Sequence, residues 1–158
     1  MEETEFLKSV KKHSGIIHKV IYLYVEDAQD KKDLYQEILF QAWKSIHGFK
    51  GQSTFSTWLY RVSLNTVLTF KRKETKRKEI YELSEIHEEE VLVENENSTK
   101  LLRAIKELED INKVLITLHL EDYSNSEIAH ITGITKNNVA VKLHRIKESL
   151  AKKLNRKN

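Results

Sequence analysis

The sequence predicts an all-α protein of two small helical domains joined by an acidic linker, and three observations carry that expectation. The 158 residues include no proline and only four glycines, while Lys, Glu, Leu and Ile are abundant, so little in the chain breaks a helix from within. Apolar residues recur at three- and four-residue spacing rather than alternating, which is the helical period. Charge is segregated along the chain. Residues 1–78 carry 15 Lys and Arg against 9 Asp and Glu. Residues 79–99 carry 8 Glu and no basic residue, and residues 100–158 carry 12 basic against 7 acidic. Two basic modules flanking an acidic segment suit a polyanionic partner, although solvated helix faces produce similar counts.

Composition also excludes several classes. Without cysteine there are no disulfides and no thiolate metal sites, and a cytoplasmic location is expected. No apolar run reaches the length of a membrane span, and no signal-peptide pattern opens the chain. The seven histidines are scattered without metal-ligand spacing, and there is no glycine-rich phosphate loop. No metal, cofactor, small-molecule substrate or catalytic residue is expected, and the chain reads as a non-enzyme.

Four helices are expected before the acidic segment. The first covers about Glu3–His13 and resumes after Gly15 as Ile16–Val25. After a polar break, Lys31–Ile46 carries Leu34, Tyr35, Ile38, Leu39, Ala42, Trp43 and Ile46 in one apolar stripe. The loop His47–Gln52 holds two glycines, and Ser53 is placed to cap a long helix reaching about Lys78. In that helix Phe55, Trp58, Leu59, Val62, Thr66 and Phe70 share a face. Leu64, Val67 and Leu68 are apolar on other sides, which predicts a central helix. The acidic stretch 79–98 then reads as an extended linker, because its like charges repel and it lacks an apolar stripe.

The second domain, 99–158, opens with helices over Ser98–Leu108 and Ile111–Leu120. Ser124-Asn-Ser-Glu127 is a capping box before a short helix Asn125–Thr132, Gly133 suits a left-handed stop, and Thr135 caps a last helix to about Lys153. A short helix, a glycine turn and a second capped helix make a helix-turn-helix pattern.

Three surfaces are candidates for function. On the last helix Val139, Leu143, Ile146, Leu150 and Leu154 must pack inward. That leaves Lys136, Asn137, Asn138, Ala140, Val141, Lys142, His144 and Arg145 outward. Amide and guanidinium groups can pair with base edges in the major groove, and Val141 can touch a thymine methyl. On the Lys31–Ile46 helix, Asp33, Gln36, Glu37 and Phe40 lie opposite the stripe; an aromatic ring centred among polar side chains suits a protein partner. On the long helix Arg61, Asn65 and Arg72 share a side, next to the loop bearing Phe49, Lys50, Gln52 and Ser53. Rings beside basic and amide groups can stack on unpaired bases.

These residues resemble a known family. Asp33-Leu-Tyr-Gln-Glu-Ile-Leu-Phe-Gln-Ala-Trp43 is similar to the most typical stretch of the extracytoplasmic-function (ECF) sigma factors, sigma-70 family group IV. Phe49-Lys-Gly-Gln-Ser-Thr-Phe-Ser-Thr-Trp-Leu-Tyr-Arg-Val62 with Asn65 resembles their next segment, and Ile128-Ala129, Gly133-Ile134, Val139 and Leu143-His-Arg145 resemble their helix-turn-helix.

The resemblance implies a sigma-two-like helical bundle over 1–78, a sigma-four-like helix-turn-helix domain over 99–158, and promoter-directed transcription initiation. It implies that Asp33, Gln36, Glu37 and Phe40 bind the β′ clamp helices of core RNA polymerase. Phe49, Lys50, Gln52, Ser53, Arg61, Asn65 and Arg72 would hold the opened minus-ten element. Lys136, Asn137, Asn138, Ala140, Val141, Lys142, His144 and Arg145 would read the minus-thirty-five element, with the β flap and an anti-sigma factor as further partners.

Leu64, Thr69, Ala140, Val141 and Lys136-Asn-Asn138 depart from the family's usual residues, which bears on DNA preference. An A·T-leaning minus-thirty-five element is expected from Asn137 and Val141. The alternative is a stand-alone helix-turn-helix regulator that binds duplex DNA without polymerase.

Overall fold

The structure is a computed structural model and describes residues 1–78 and 96–156, with the side chains of 75–78 left aside. The expected linker 79–98 therefore lies outside the described residues except at its end. The described residues fall into two compact units, all α-helical and without a strand among them.

In the first unit α1 (Glu3–Lys12) and α2 (Ser14–Tyr24) are separated by a single non-helical residue, His13. The break follows from His13 at φ −110°, ψ 16°, where the helical ladder is interrupted. α3 (Ala28–Ser45) starts three residues earlier than the apolar pattern predicts. Its cap explains the difference: the Asp30 N–H donates to the Asp27 carboxylate at 2.9 Å, which satisfies an orphan amide before the stripe begins. A 3-10 turn over Ile46–Gly48 closes it.

α4 (Phe55–Lys78) packs along both α2 and α3, the central position expected for it. Its most buried residues are Leu59, Tyr60, Ser63, Leu64 and Val67. Of the expected face Phe55, Trp58, Leu59, Val62, Thr66 and Phe70, only Leu59 is fully buried and the others are half-buried. The stripe is displaced because a helix held between two neighbours buries the side facing the gap between them. Periodicity alone marks the broader apolar sector. Capping also differs from the expectation. The Thr57 N–H donates to Thr54 Oγ1 at 3.2 Å, so Thr54 is the cap, while the Ser53 hydroxyl donates to the Thr54 carbonyl. The core of this unit is Phe6, Val10, Ile17, Val20, Leu23, Leu34, Ile38, Ala42, Leu59 and Val67. At about 25 cal/mol per Å² of apolar surface removed from water, such a set is the main source of its stability.

In the second unit α5 (Glu96–Lys106), α6 (Asp110–Leu120), α7 (Asn125–Thr132) and α8 (Lys136–Asn155) follow. Residues 96–98, expected in the linker, form the first turn of α5. Glu96 suits the positive end of the helix dipole and lies 3.4 Å from Lys100 one turn on. α7 spans the residues its capping box predicts: the Glu127 N–H donates to Ser124 Oγ at 3.1 Å. Glu127 does not return to the backbone as expected; its carboxylate accepts from the Ser124 hydroxyl instead. Gly133 takes φ 78°, ψ 4° and donates to the Ala129 carbonyl, the left-handed stop expected of it. α8 packs against α5, α6 and α7 through Val139, Leu143, Ile146 and Leu150. Leu154 was expected to join that row but is 43% exposed; it stands in the final turn, past the end of the contact row.

Candidate nucleic-acid and partner interfaces

On α8 the cap fixes which side faces out. The Asn138 N–H donates to Thr135 Oγ1 at 3.2 Å, which starts the helix at Lys136 and commits Val139 to the core. Every residue expected to read duplex DNA on this helix is then exposed: Lys136, Asn137, Asn138, Ala140, Val141, Lys142, His144 and Arg145. Val141 is 42% exposed, an apolar group left in water at the middle of a polar face. His144 Nε2 lies 3.4 Å from the Glu148 carboxylate one turn further on. The face offers amide, guanidinium, ammonium and methyl groups within about three turns, the set that reads major-groove edges.

On α3 the buried row Leu34, Ile38, Ala42 turns Asp33, Gln36, Glu37 and Phe40 outward. Phe40 is 58% exposed, and Trp43, one turn along, is 38% exposed although the sequence placed it in the stripe. The reason is partial cover: Phe6 of α1 meets the Trp43 ring at 5.0 Å and His47 lies 6.4 Å from it, while its outer edge stays in water. Phe40 and Trp43 thus form a short aromatic ridge. Asp33 accepts from Gln29 Nε2 at 3.0 Å and Glu37 from Gln41 Nε2 at 2.8 Å. Those bonds hold the two carboxylates along the helix beside the ridge.

On α4 the exposed residues at one-turn intervals are Arg61, Asn65, Thr69 and Arg72. Thr69 belongs to this strip although the sequence reading singled it out only as a departure. Its position between Asn65 and Arg72 in the helical count is the signal that places it. A groove of 490 Å³ between α3 and α4 is lined by Asp33 and Glu37 on one wall and Asn65, Thr69 and Lys73 on the other. Residues assigned to two different partners therefore line one groove.

The loop between the 3-10 turn and α4 carries Lys50, Gln52 and Ser53, all exposed, with Gly51 at φ 72° turning the chain. Its two ends are tied by rings. Phe49 meets Phe55 at 6.1 Å edge-on and Trp58 at 5.5 Å, and Phe55 meets Trp58 at 5.4 Å. The His13 ring completes the group at 5.4 Å from Phe55. Sequence reasoning identified Phe55 and Trp58 as packing residues but missed His13, which is distant in sequence and follows no local pattern. Phe49, counted among the DNA-binding residues, is half-buried in this cluster.

Among the described residues no group of His, Asp or Glu is placed to hold a metal ion, and no helix is long and apolar enough to cross a membrane.

Comparison with known proteins agrees with both units. Residues 10–77 match the sigma-70 region 2 family and residues 98–150 match sigma-70 region 4. The ECF RNA polymerase sigma-E factor of Escherichia coli is 30% identical, over 87% of this chain and 81% of that protein. The ECF RNA polymerase sigma factor SigW of Bacillus subtilis is 26% identical over 97% and 90%. A solved structure of the sigma factor RpoE with the anti-sigma factor NepR from Bartonella quintana shares the fold, with a TM-score of 0.76 over 98% of this chain and 99% of that one at 17% identity. A stand-alone helix-turn-helix regulator would account for residues 98–150 and leave the region 2 match without a role. The chain belongs to the sigma-70 family and, within it, to the ECF sigma factors, non-catalytic subunits that bind core RNA polymerase and direct it to promoter DNA.

Proposed function

We propose that this sigma factor divides its task between the two units. The unit of residues 1–78 engages core polymerase through Asp33, Gln36, Glu37 and Phe40, which meet the β′ clamp helices. It also holds the opened minus-ten strand through Phe49, Lys50, Gln52, Ser53, Arg61, Asn65 and Arg72. The unit of residues 99–158 reads the minus-thirty-five duplex through Lys136, Asn137, Asn138, Ala140, Val141, Lys142, His144 and Arg145, while another of its surfaces meets the β flap. Residues 79–98 act as an acidic linker, the protein works in the cytoplasm without catalytic chemistry of its own, and an anti-sigma factor is a further partner.

The physical division is between flat and grooved readout. An exposed helix face suits the major groove of a closed duplex. A loop with exposed cationic and amide groups beside aromatic rings suits unpaired bases, whose stacking faces are free. Binding the displaced strand lowers the cost of opening, because unpairing is then coupled to new contacts. The observation that supports this reading most is the exposure of the whole α8 row from Lys136 to Arg145 opposite a fully buried row.

Holoenzyme binding to separate probes tests the division. Arg61→Ala with Asn65→Ala should weaken capture of a single-stranded minus-ten oligonucleotide and spare a minus-thirty-five duplex. Asn137→Ala with Arg145→Ala should do the reverse. The opposite assignment of losses contradicts the proposal.

A further inference from the structure

His13 is the one non-helical residue between α1 and α2, and its ring is fixed from two sides. Its Nδ1–H donates to the Ser9 carbonyl at 2.8 Å, so a bond within its own turn sets the ring plane. The same ring lies 5.4 Å from Phe55 at a 47° tilt. Phe55 is the first residue of α4 and ends the loop that carries Lys50, Gln52 and Ser53; Phe49 begins it. Both ends of the loop therefore lean on one aromatic group, and His13 is the member that α1 and α2 supply to it.

We infer that His13 is a positioning residue for minus-ten recognition: its tethered ring backs Phe55 and so fixes the register of the Phe49–Phe55 loop. The inference rests on the proposal that this loop holds the opened strand. The loop has few anchors of its own. Lys50, Gln52, Ser53 and Thr54 are exposed, and the polar contacts of Ser53 and Thr54 are local to residues 54, 56 and 57. Gly51 at φ 72° permits the turn but does not hold it. The rings at either end are then what selects one loop conformation, and pre-selecting the bound conformation raises discrimination between bases rather than contact area. It follows that the break between α1 and α2 acts on promoter selectivity through a packing contact.

The test compares holoenzyme affinity for a matched minus-ten oligonucleotide with that for single-base mismatches, in His13→Ala, His13→Gln and His13→Phe, with core-polymerase affinity and melting temperature measured alongside. His13→Ala and His13→Gln, which lack the ring, should lower the matched-to-mismatched ratio about threefold to tenfold, the scale of one lost aromatic contact. Core affinity should stay unchanged. His13→Phe keeps a ring against Phe55 and should retain most of the ratio. Gln52→Ala and Asn65→Ala serve as controls on the underlying reading. If they lower the ratio and His13→Ala does not, the positioning role is wrong and the loop's role stands. If none of them lowers it, both fail. An equal loss in His13→Phe and His13→Ala, or a fall in melting temperature with no change in the ratio, also overturns the inference.

Discussion

In the carboxy-terminal unit the proposed nucleic-acid surface is one side of a single helix, α8, whose start is set by Thr135 and whose core row runs Val139, Leu143, Ile146, Leu150. In the amino-terminal unit the corresponding proposed surface draws on separate segments. The loop from Phe49 to Phe55 is tied at both ends by rings that His13 joins from a distant part of the chain, and the strip Arg61 to Arg72 follows along α4. The difference teaches where specificity is vulnerable. A one-helix surface fails when its helix unfolds or a reading side chain is lost. An assembled surface can lose its geometry while every reading side chain remains.

That contrast can be broken most forcefully at Leu143. It is 3% exposed on α8, and Leu143→Ala should cost about 2–5 kcal/mol of stability through lost burial and a residual cavity. Thermal unfolding followed by circular dichroism checks it. A cost below about 1 kcal/mol would mean the α8 row does not hold the unit together.

The partner face should respond without a stability change. Glu37→Lys combined with Phe40→Ala should weaken core-polymerase binding by about 2–4 kcal/mol, since it removes an exposed anchor and reverses a charge beside it. Both residues are exposed, so the melting temperature should scarcely move. Fluorescence-detected binding to core polymerase measures the first effect, and an unaltered affinity would remove α3 from the interface.

Arg145→Ala sharpens the contrast on the DNA side. It should cost about 1–3 kcal/mol of discrimination, concentrated at one base position of the minus-thirty-five element. A uniform loss across all positions would make Arg145 a phosphate contact instead. Selection of holoenzyme-bound duplexes from a randomised minus-thirty-five library distinguishes the two.

The smallest effects come from the caps. Thr135→Ala and Thr54→Ala should each cost about 1 kcal/mol, because each hydroxyl accepts from a backbone N–H in the first turn of its helix. Ser53→Ala should stay within about 0.5 kcal/mol, since its hydroxyl caps no amide. Chemical denaturation of the three variants decides whether Thr54 or Ser53 starts α4.

Legibility in the sequence follows the same division. The helix-turn-helix was readable to the residue at α7, because Ser124, Glu127, Gly133 and Thr135 act on their own turns. The eight candidate DNA-reading residues of α8 followed from the phase of one apolar row. In the other unit, the Phe40 face was readable for the same reason, since α3 buries a single stripe. The buried side of α4 was less legible, because Leu64, Val67 and Leu68 beside the Phe55–Phe70 face leave an apolar sector too broad to mark one phase. Trp43 read as core because periodicity cannot tell a stripe's covered middle from its half-covered edge. His13 left no signal, as a contact between residues 13 and 55 has no sequence period.

The central claim, promoter-directed initiation through core polymerase, is tested most directly by run-off transcription. Purified bacterial core polymerase is supplied with a genomic promoter library, with and without this protein. Discrete starts that appear only with the protein, and disappear when Glu37→Lys and Phe40→Ala are combined, are the predicted result. Absence of starts and of polymerase binding, beside tight specific binding of duplex DNA by the protein alone, would contradict it.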